Sequence, residues 1–131
     1  MTKILKVLIA EDGKVTQRLL EKSFEHNKLF EIKVVENGEE ALTEYGKWHP
    51  DIVLMDILMP RMNGFQTLQC IREKLKDQAT CVIMVSSVNA RQDILACAEL
   101  GIQGYILKPF KTGELSDTVL SYYLNAERQE N

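Results

Sequence analysis

Four places along the chain put reactive side chains where a short apolar run stops: Glu11-Asp12, Asp56, Ser86-Ser87 and Lys108-Pro109. If those ends meet, three carboxylates, hydroxyls and one ammonium face one another. Crowded carboxylates repel, and their pKa values rise unless a cation neutralises them. An all-oxygen set completed by water suits Mg²⁺. The set contains no Cys or His, which disfavours zinc and copper. A carboxylate so placed can attack phosphorus and carry an aspartyl phosphate, and Asp56 is the candidate nucleophile. The metal would offset charge on the transferred group, Lys108 would add a second positive charge, and Ser86 would donate to a phosphoryl oxygen. Each acid alone has a plainer role; Asp12 reads equally well as the cap of a helix starting at Gly13 or Lys14. Jointly the plainer role loses ground, because the groups come from separate runs.

The elements between those runs decide whether they meet. Ile4–Ala10 is a short apolar run, and Lys14–His26 comes next with Val15, Leu19, Leu20 and Phe24 at one-face helical spacing. Phe30–Val35 alternates Phe30, Ile32 and Val34 with Glu31 and Lys33, the pattern of a half-buried edge strand. Asn37-Gly38 punctuates, and Glu39–Trp48 is helical through Ala41, Leu42 and Tyr45. Asp51–Met55 and Ala79–Val85 are nearly continuous apolar runs, as in strands buried on both faces of a parallel sheet. Phe65, Leu68, Ile71 and Leu75 make a helical stripe between them. Ala90–Leu100 is a further helix closed by Gly101, Tyr105–Leu107 a last strand and Thr112–Leu124 a last helix, with Leu115 and Val119 on one side. Ala126–Asn131 reads as a frayed polar tail.

Five strands alternating with five helices predict a three-layer, doubly wound α/β fold with right-handed crossovers. Only the second run alternates, so it belongs at the margin, and the strand order becomes 2-1-3-4-5. Ligands of such open sheets sit beyond the carboxyl ends of the strands where the winding reverses, here between strands one and three.

Composition sets the outer bounds. The 131 residues carry 16 Lys and Arg against 19 Asp and Glu, a formal net charge of −3, with 45% hydrophobic and 27% charged residues. That suits one globular domain with a core large enough to need neither disulfide nor structural metal. The longest uncharged stretch, Gln78–Ala90, falls short of the ~18 apolar residues of a membrane span. Met1–Val7 has a basic residue inside its apolar run and does not read as a secretory signal. Cys70, Cys81 and Cys97 are odd in number and form no Cys-x-x-Cys pair, which reads as reduced thiols in a cytoplasmic protein. A mildly acidic balance gives no electrostatic footprint for direct nucleic-acid binding.

With these residues in place, the sequence resembles the receiver domain of two-component response regulators, with a flavodoxin- and CheY-like fold, over essentially Ile4 to Leu124. The most specific stretch is Asp56-Ile57-Leu58-Met59-Pro60-Arg61-Met62-Asn63-Gly64, joined by Glu11-Asp12, Ser86, Tyr105 and Lys108-Pro109. The resemblance implies a receiver domain over residues 1–125 and a phosphorelay switch in which Asp56 accepts phosphate from a histidine kinase or phosphotransfer protein. It implies Mg²⁺, with Mn²⁺ as a substitute, held by Asp12 directly, by Glu11 through water, by Asp56 and by the carbonyl of Leu58. It further implies that Lys108 pairs with the phosphoryl group, that the Lys108–Pro109 bond is cis, and that Ser86 and Tyr105 move on phosphorylation. Their movement would alter the face of the fourth helix, fifth strand and fifth helix for an output domain, a target or a phosphorylation-dependent homodimer. Turnover is not the expected activity; self-phosphorylation and self-dephosphorylation are. The chain departs from the pattern at Gly13, where Asn or Asp is common, and at Ser86, which replaces Thr. The resemblance implies that the positions two residues beyond Asp56 and Ser86 flank the path of the hydrolytic water; here they are the apolar Leu58 and Val88, which predicts slow loss of phosphate.

Other residues take plainer roles. Tyr45 and Trp48 read as packing residues of the second helix, and His26 and His49 as helix-end or surface residues. Arg72-Glu73-Lys74-Leu75-Lys76-Asp77 reads as a mixed, solvated helix end. Three competing functions fit the residues less well. A flavin module would need a Ser/Thr/Gly-rich loop after strand one, whereas Glu11-Asp12-Gly13 would repel a phosphate. A Mg²⁺-dependent aspartyl-phosphate phosphatase would carry Asp-x-Asp on the first strand. A degenerate, docking-only receiver would have lost acids that are present here. No effector segment comes after Leu124, so the chain reads as a stand-alone receiver or a piece of a larger regulator or hybrid kinase.

Overall fold

A computed structural model describes residues 3–130. Five strands, β1 (Leu5–Ala10), β2 (Phe30–Val35), β3 (Ile52–Met55), β4 (Cys81–Ser86) and β5 (Gly104–Leu107), form one sheet in the order β2-β1-β3-β4-β5. All four pairings are parallel. Helices α1 (Lys14–Phe24), α2 (Gly38–Trp48), α3 (Gly64–Gln69), α4 (Arg91–Leu100) and α5 (Thr112–Glu130) cross between them. The winding reverses between β1 and β3, as the run patterns predict.

The continuous apolar runs are continuous because both faces of the central strands are covered. Val7 and Ile9 of β1, Ile52 and Leu54 of β3 and Ile83 and Val85 of β4 pack toward Leu20 and Phe24 of α1 and Leu115 and Val119 of α5. Their neighbours Leu8, Val53, Met55, Val82 and Met84 point the other way, onto Ala41 of α2, Leu68 of α3 and Cys97 of α4. Each such side chain contributes roughly 1.5–3 kcal/mol by leaving water. β2 shows the alternating burial of an edge, while β5, at the other margin, is only partly covered throughout.

Local signals fix the helix ends. Asn37 caps α2 by accepting from the Glu40 amide at 2.9 Å. Asn63 and Gln66 form a reciprocal capping box on α3, at 2.8 and 3.0 Å. α1 starts after Gly13 with no side-chain cap, so Asp12 does not serve as one.

Three expectations are corrected. α3 does not continue as a regular helix: a π-turn over Cys70–Lys74 succeeds it, with the Leu75 amide on the Cys70 carbonyl at 2.9 Å. The wider turn rotates the residues beyond it, so Leu75 leaves the stripe and is exposed, while Arg72 is turned inward and is only 2% exposed. The solvated helix end expected over Arg72–Asp77 is therefore wrong at its first residue. The last helix also runs through Glu130 rather than stopping at Leu124; Ala126, Glu127, Arg128 and Gln129 are good helix formers and no Gly or Pro interrupts them. Asn131 of the expected tail lies outside the described residues. No helix among the described residues is long and apolar enough to cross a membrane.

Candidate functional site

Because all strands are parallel, β1, β3, β4 and β5 end at one edge of the sheet, and the residues after them come together there. Asp56 directly succeeds β3, its amide donating to the Ala10 carbonyl at 3.2 Å. Its side chain is nearly buried, and each carboxylate oxygen has its own donors. Oδ1 accepts from Ser86 Oγ at 2.7 Å and from the Leu58 amide at 3.1 Å; Oδ2 accepts from Lys108 Nζ at 2.6 Å. The same ammonium donates to Glu11 Oε1 at 2.6 Å, and Glu11 Oε2 takes the Gly13 amide at 2.9 Å. Lys108 comes directly after β5 and is joined to Pro109 by a cis peptide.

Lys108 thus acts as the shared counterion of two buried carboxylates. Burial pushes the Glu11 carboxyl up, and the Lys108 ammonium and Gly13 amide offset only part of that rise. For Lys108, burial pulls down, but its bonds to Asp56 and Glu11 outweigh it and leave the ammonium above its ordinary value. The ammonium stays charged, since that state is the one both carboxylates stabilise.

The three-carboxylate cluster does not assemble in full. Glu11, Asp56, Ser86 and Lys108 meet, whereas Asp12 is exposed. Asp12 instead borders an open depression with Ile57, Leu58, Met59, Pro60 and Asn63. Among the described residues no group of three or more His, Cys, Asp or Glu is placed to hold a metal. Lys108 bridges the two inner acids, at 2.6 Å from each, and makes no ion pair with Asp12 among the described residues. The donor chemistry nonetheless fits a hard cation. Two buried carboxylates already hold one cation at 2.6 Å, and Asp12, next to Glu11 in the chain, borders a depression with Leu58, two residues beyond Asp56.

A hydrogen-bonded path leads away from Asp56. Ser86 Oγ donates to Asp56 and accepts from the Val88 amide at 3.2 Å, and the Val88 carbonyl accepts from Tyr105 Oη at 2.5 Å. Ser86 and Tyr105, expected to move, are thus joined through the backbone of one residue. In the sequence Val88 stands out only for its apolar side chain, and nothing in its type shows this link. Sequence reasoning also misses Gln17, which is buried and donates to the Glu11 carbonyl at 2.5 Å. A polar residue three positions before the core residue Leu20 was the available signal. Ser87 is exposed and joins Thr16, Leu19, Lys108, Pro109 and Phe110 around a groove beside the site. His26 and His49 are exposed at helix ends.

The model of the response regulator receiver domain matches residues 7–120. The chain is 33% identical over 115 residues to a chemotaxis protein CheY of Halobacterium salinarum, covering 87% of this chain and 92% of that protein. It is 29% identical over 123 residues to a probable transcriptional regulator ycf27 of Pyropia yezoensis, covering 94% of this chain and 49% of that one. The chain therefore spans about half the length of the regulators of that kind. A solved Francisella response regulator receiver domain superposes with a TM-score of 0.81 at 29% identity, over 92% of this chain and 98% of that one. Fold, strand order and family model agree, and the chain belongs to the response regulator receiver domain family.

Proposed function

We propose that the chain is a phosphorylation-dependent switch of a two-component phosphorelay, with Asp56 as the phosphoacceptor. One observation carries this reading: each Asp56 oxygen is already held by a side-chain donor that can pass to a phosphoryl oxygen, Oδ1 by Ser86 and Oδ2 by Lys108. An Asp56 oxygen attacks the phosphorus of a phosphohistidine on a histidine kinase or phosphotransfer protein. The P–N bond breaks, and the imidazole leaves and takes up a proton. Lys108 then balances charge on the transferred group, and Ser86 donates to one of its oxygens. Mg²⁺, or Mn²⁺ in its place, would be held by Glu11, Asp12, Asp56 and the Leu58 carbonyl. When bound it supplies positive charge beside the transferred phosphoryl group.

The Thr16–Phe110 groove offers an apolar wall beside Lys108, and Leu19, which lines it, is exposed on α1, as is Val15 four residues before it. It suits the helical face of a phosphodonor protein. Once Asp56 is phosphorylated, the Ser86 hydroxyl tracks the new oxygens, and the Val88 backbone carries that displacement to Tyr105. The phosphate thereby favours one conformation of the α4–β5–α5 face by its differential contacts. That face would engage an output domain, a target protein or a second receiver. Three unpaired thiols fit a cytoplasmic setting.

Intact mass after incubation with Mg²⁺ and acetyl phosphate tests the chemistry. The native chain should gain ~80 Da, one phosphoryl group, and Asp56→Asn none. A native chain that gains nothing, or an Asp56→Asn chain that gains the same mass, defeats the reading.

A further inference from the structure

The loop after Asp56 is held from outside by the first turn of α2. Within it, Arg61 has φ +66° and the Met62 amide donates to the Pro60 carbonyl at 2.7 Å, a γ-turn in the left-handed region that an arginine rarely adopts. Such a conformation persists only when its surroundings over-determine it. One flank is internal: the Gly64 amide donates to the Ile57 carbonyl at 2.9 Å. The other flank is α2. The Gly38 amide donates to the Met62 carbonyl at 3.1 Å, and Arg61 reaches Glu39 at 3.7 Å. Both α2 partners belong to its first turn. The ion pair is exposed at both ends and contributes little, so the backbone contact is the main tie.

That contact exists because residue 38 has no side chain. A Cβ there would lie 2.5 Å from the Met62 carbonyl oxygen and 2.9 Å from Met62 Cβ, and closer still to Thr67 Oγ1. Thr67 is fully buried and its hydroxyl is spent on the Asn63 carbonyl at 2.8 Å, so it has no room to swing away. Two backbones therefore meet directly, and the γ-turn sits against the end of a helix. Gly46, on the same helix, has nothing within 4 Å of where its Cβ would be.

We propose that Gly38 is a positioning residue of the phosphoacceptor site: by letting α2 sit on Met62, it fixes the 57–63 loop, and with it the Leu58 backbone, relative to Asp56. This rests on the phosphoacceptor reading above. A methyl group at 38 pushes the loop outward by a fraction of an ångström or more. Displacements of that size in reacting groups cost up to roughly a hundredfold in rate.

The test compares Gly38→Ala with Gly46→Ala, the same change on the same helix. Three quantities are measured below the thermal midpoint of each variant: Mn²⁺ affinity, rate of mass gain from acetyl phosphate, and thermal midpoint. Gly38→Ala should bind Mn²⁺ and gain phosphate at least about tenfold less well, while Gly46→Ala matches the native chain in both. Native affinity and native rate in a folded Gly38→Ala overturn the proposal, even if its midpoint has dropped, because loss of stability alone is a packing effect. Should Gly38→Ala not fold, the native chain decides: on Mg²⁺ titration the Gly38 amide resonance should shift and saturate together with that of Leu58. A Gly38 resonance unmoved at saturation overturns it equally. A native chain that neither binds metal nor gains phosphate instead defeats the underlying phosphoacceptor reading, and the positioning role with it.

Discussion

Lys108 and Arg72 are both cations drawn into the protein, and their donors are satisfied in opposite ways. Lys108, beyond the C-terminal edge of the sheet, donates to the carboxylates of Glu11 and Asp56 at 2.6 Å each. Arg72, near the start of β4, makes no ion pair with a carboxylate among the described residues. Its Nε donates to the Gly101 carbonyl at 2.9 Å and Nη1 to the Asp77 carbonyl at 2.8 Å. Nη2 donates to the Thr80 carbonyl at 2.8 Å and to Gln103 Oε1 at 3.0 Å. The acceptors around Arg72 are neutral, and three of the four are backbone, so they cannot titrate or move far. Those around Lys108 are charged, can take up protons, and sit on side chains. One arrangement ties the π-turn, the end of α4 and the approach to β4 into a fixed joint. The other leaves a cation and two anions free to exchange partners, which is what a site must do if charge arrives and leaves.

Removing the two cations separates these roles. Lys108→Met should cut the rate of phosphoryl gain by about a hundredfold or more, the usual cost of losing a charged transition-state partner. Its stability should fall less than the loss of a buried ion pair suggests. Glu11, already shifted upward by burial, can protonate and relieve the uncompensated charge. Mass-resolved labelling kinetics beside a denaturant titration measure both. A Lys108→Met chain that labels at the native rate would contradict the catalytic role.

Arg72→Met reverses the pattern. A methionine fills much of the space but leaves buried carbonyls without donors, at about 3 kcal/mol in all. The chain that remains folded should gain phosphate at close to the native rate, since none of Arg72's partners belongs to the Asp56 network. Equal losses of stability in Arg72→Met and Lys108→Met would erase the distinction between joint and site.

A smaller effect sharpens the site half of the comparison. Leu58 is 58% exposed at the mouth and Val88 is half-buried, so no polar side chain at either position orients water toward a phosphorylated Asp56. Leu58→Asn should shorten the lifetime of the phosphorylated form severalfold, read as decay of the mass-shifted species. Unchanged decay would show that the water is positioned by other groups.

The two ends also differ in how far the sequence reveals them. The site end was legible because its residues stand at the ends of runs whose pattern dictates a parallel sheet, and parallel strands must end together. Lys108 and Glu11 lie 97 positions apart, yet the parallel strand order brings both to the same edge of the sheet. What the pattern could not show was how charges divide once they meet: Lys108 bridges Glu11 and Asp56, while Asp12 stays exposed. The joint end was not legible. A one-residue widening of a helical turn at Cys70–Lys74 moves Arg72 from solvent to core, and no local composition marks it, since Arg, Glu and Lys there look like any exposed helix end. Gly38 was visible only as punctuation after Asn37. Its role depends on the approach of Met62 and Thr67, which come from elsewhere in the chain.

Asp77 offers the finest test, because it holds the joint end together with a charge that can be switched off. Its Oδ1 accepts the amides of Ala79 at 2.8 Å and Thr80 at 3.1 Å. Oδ2 takes the Thr80 hydroxyl at 2.6 Å and the Tyr45 hydroxyl of α2. Burial pushes this carboxyl up, but the Thr80 hydroxyl and the two amides outweigh it and leave it below its ordinary value of 3.8. A carboxyl depressed in the folded state contributes stability that is present above its unfolded value and is lost as pH falls through the folded one. Asp77→Asn should therefore be less stable than the native chain at pH 7, and the gap should close as pH falls below 3.8 and the native carboxyl protonates. Denaturant midpoints of the two chains across that range measure it. A gap that stays constant would mean that shape rather than charge holds the α2–β4 approach. The joint end would then be neutral throughout, and the contrast with the ionic site at the other edge would be sharper still.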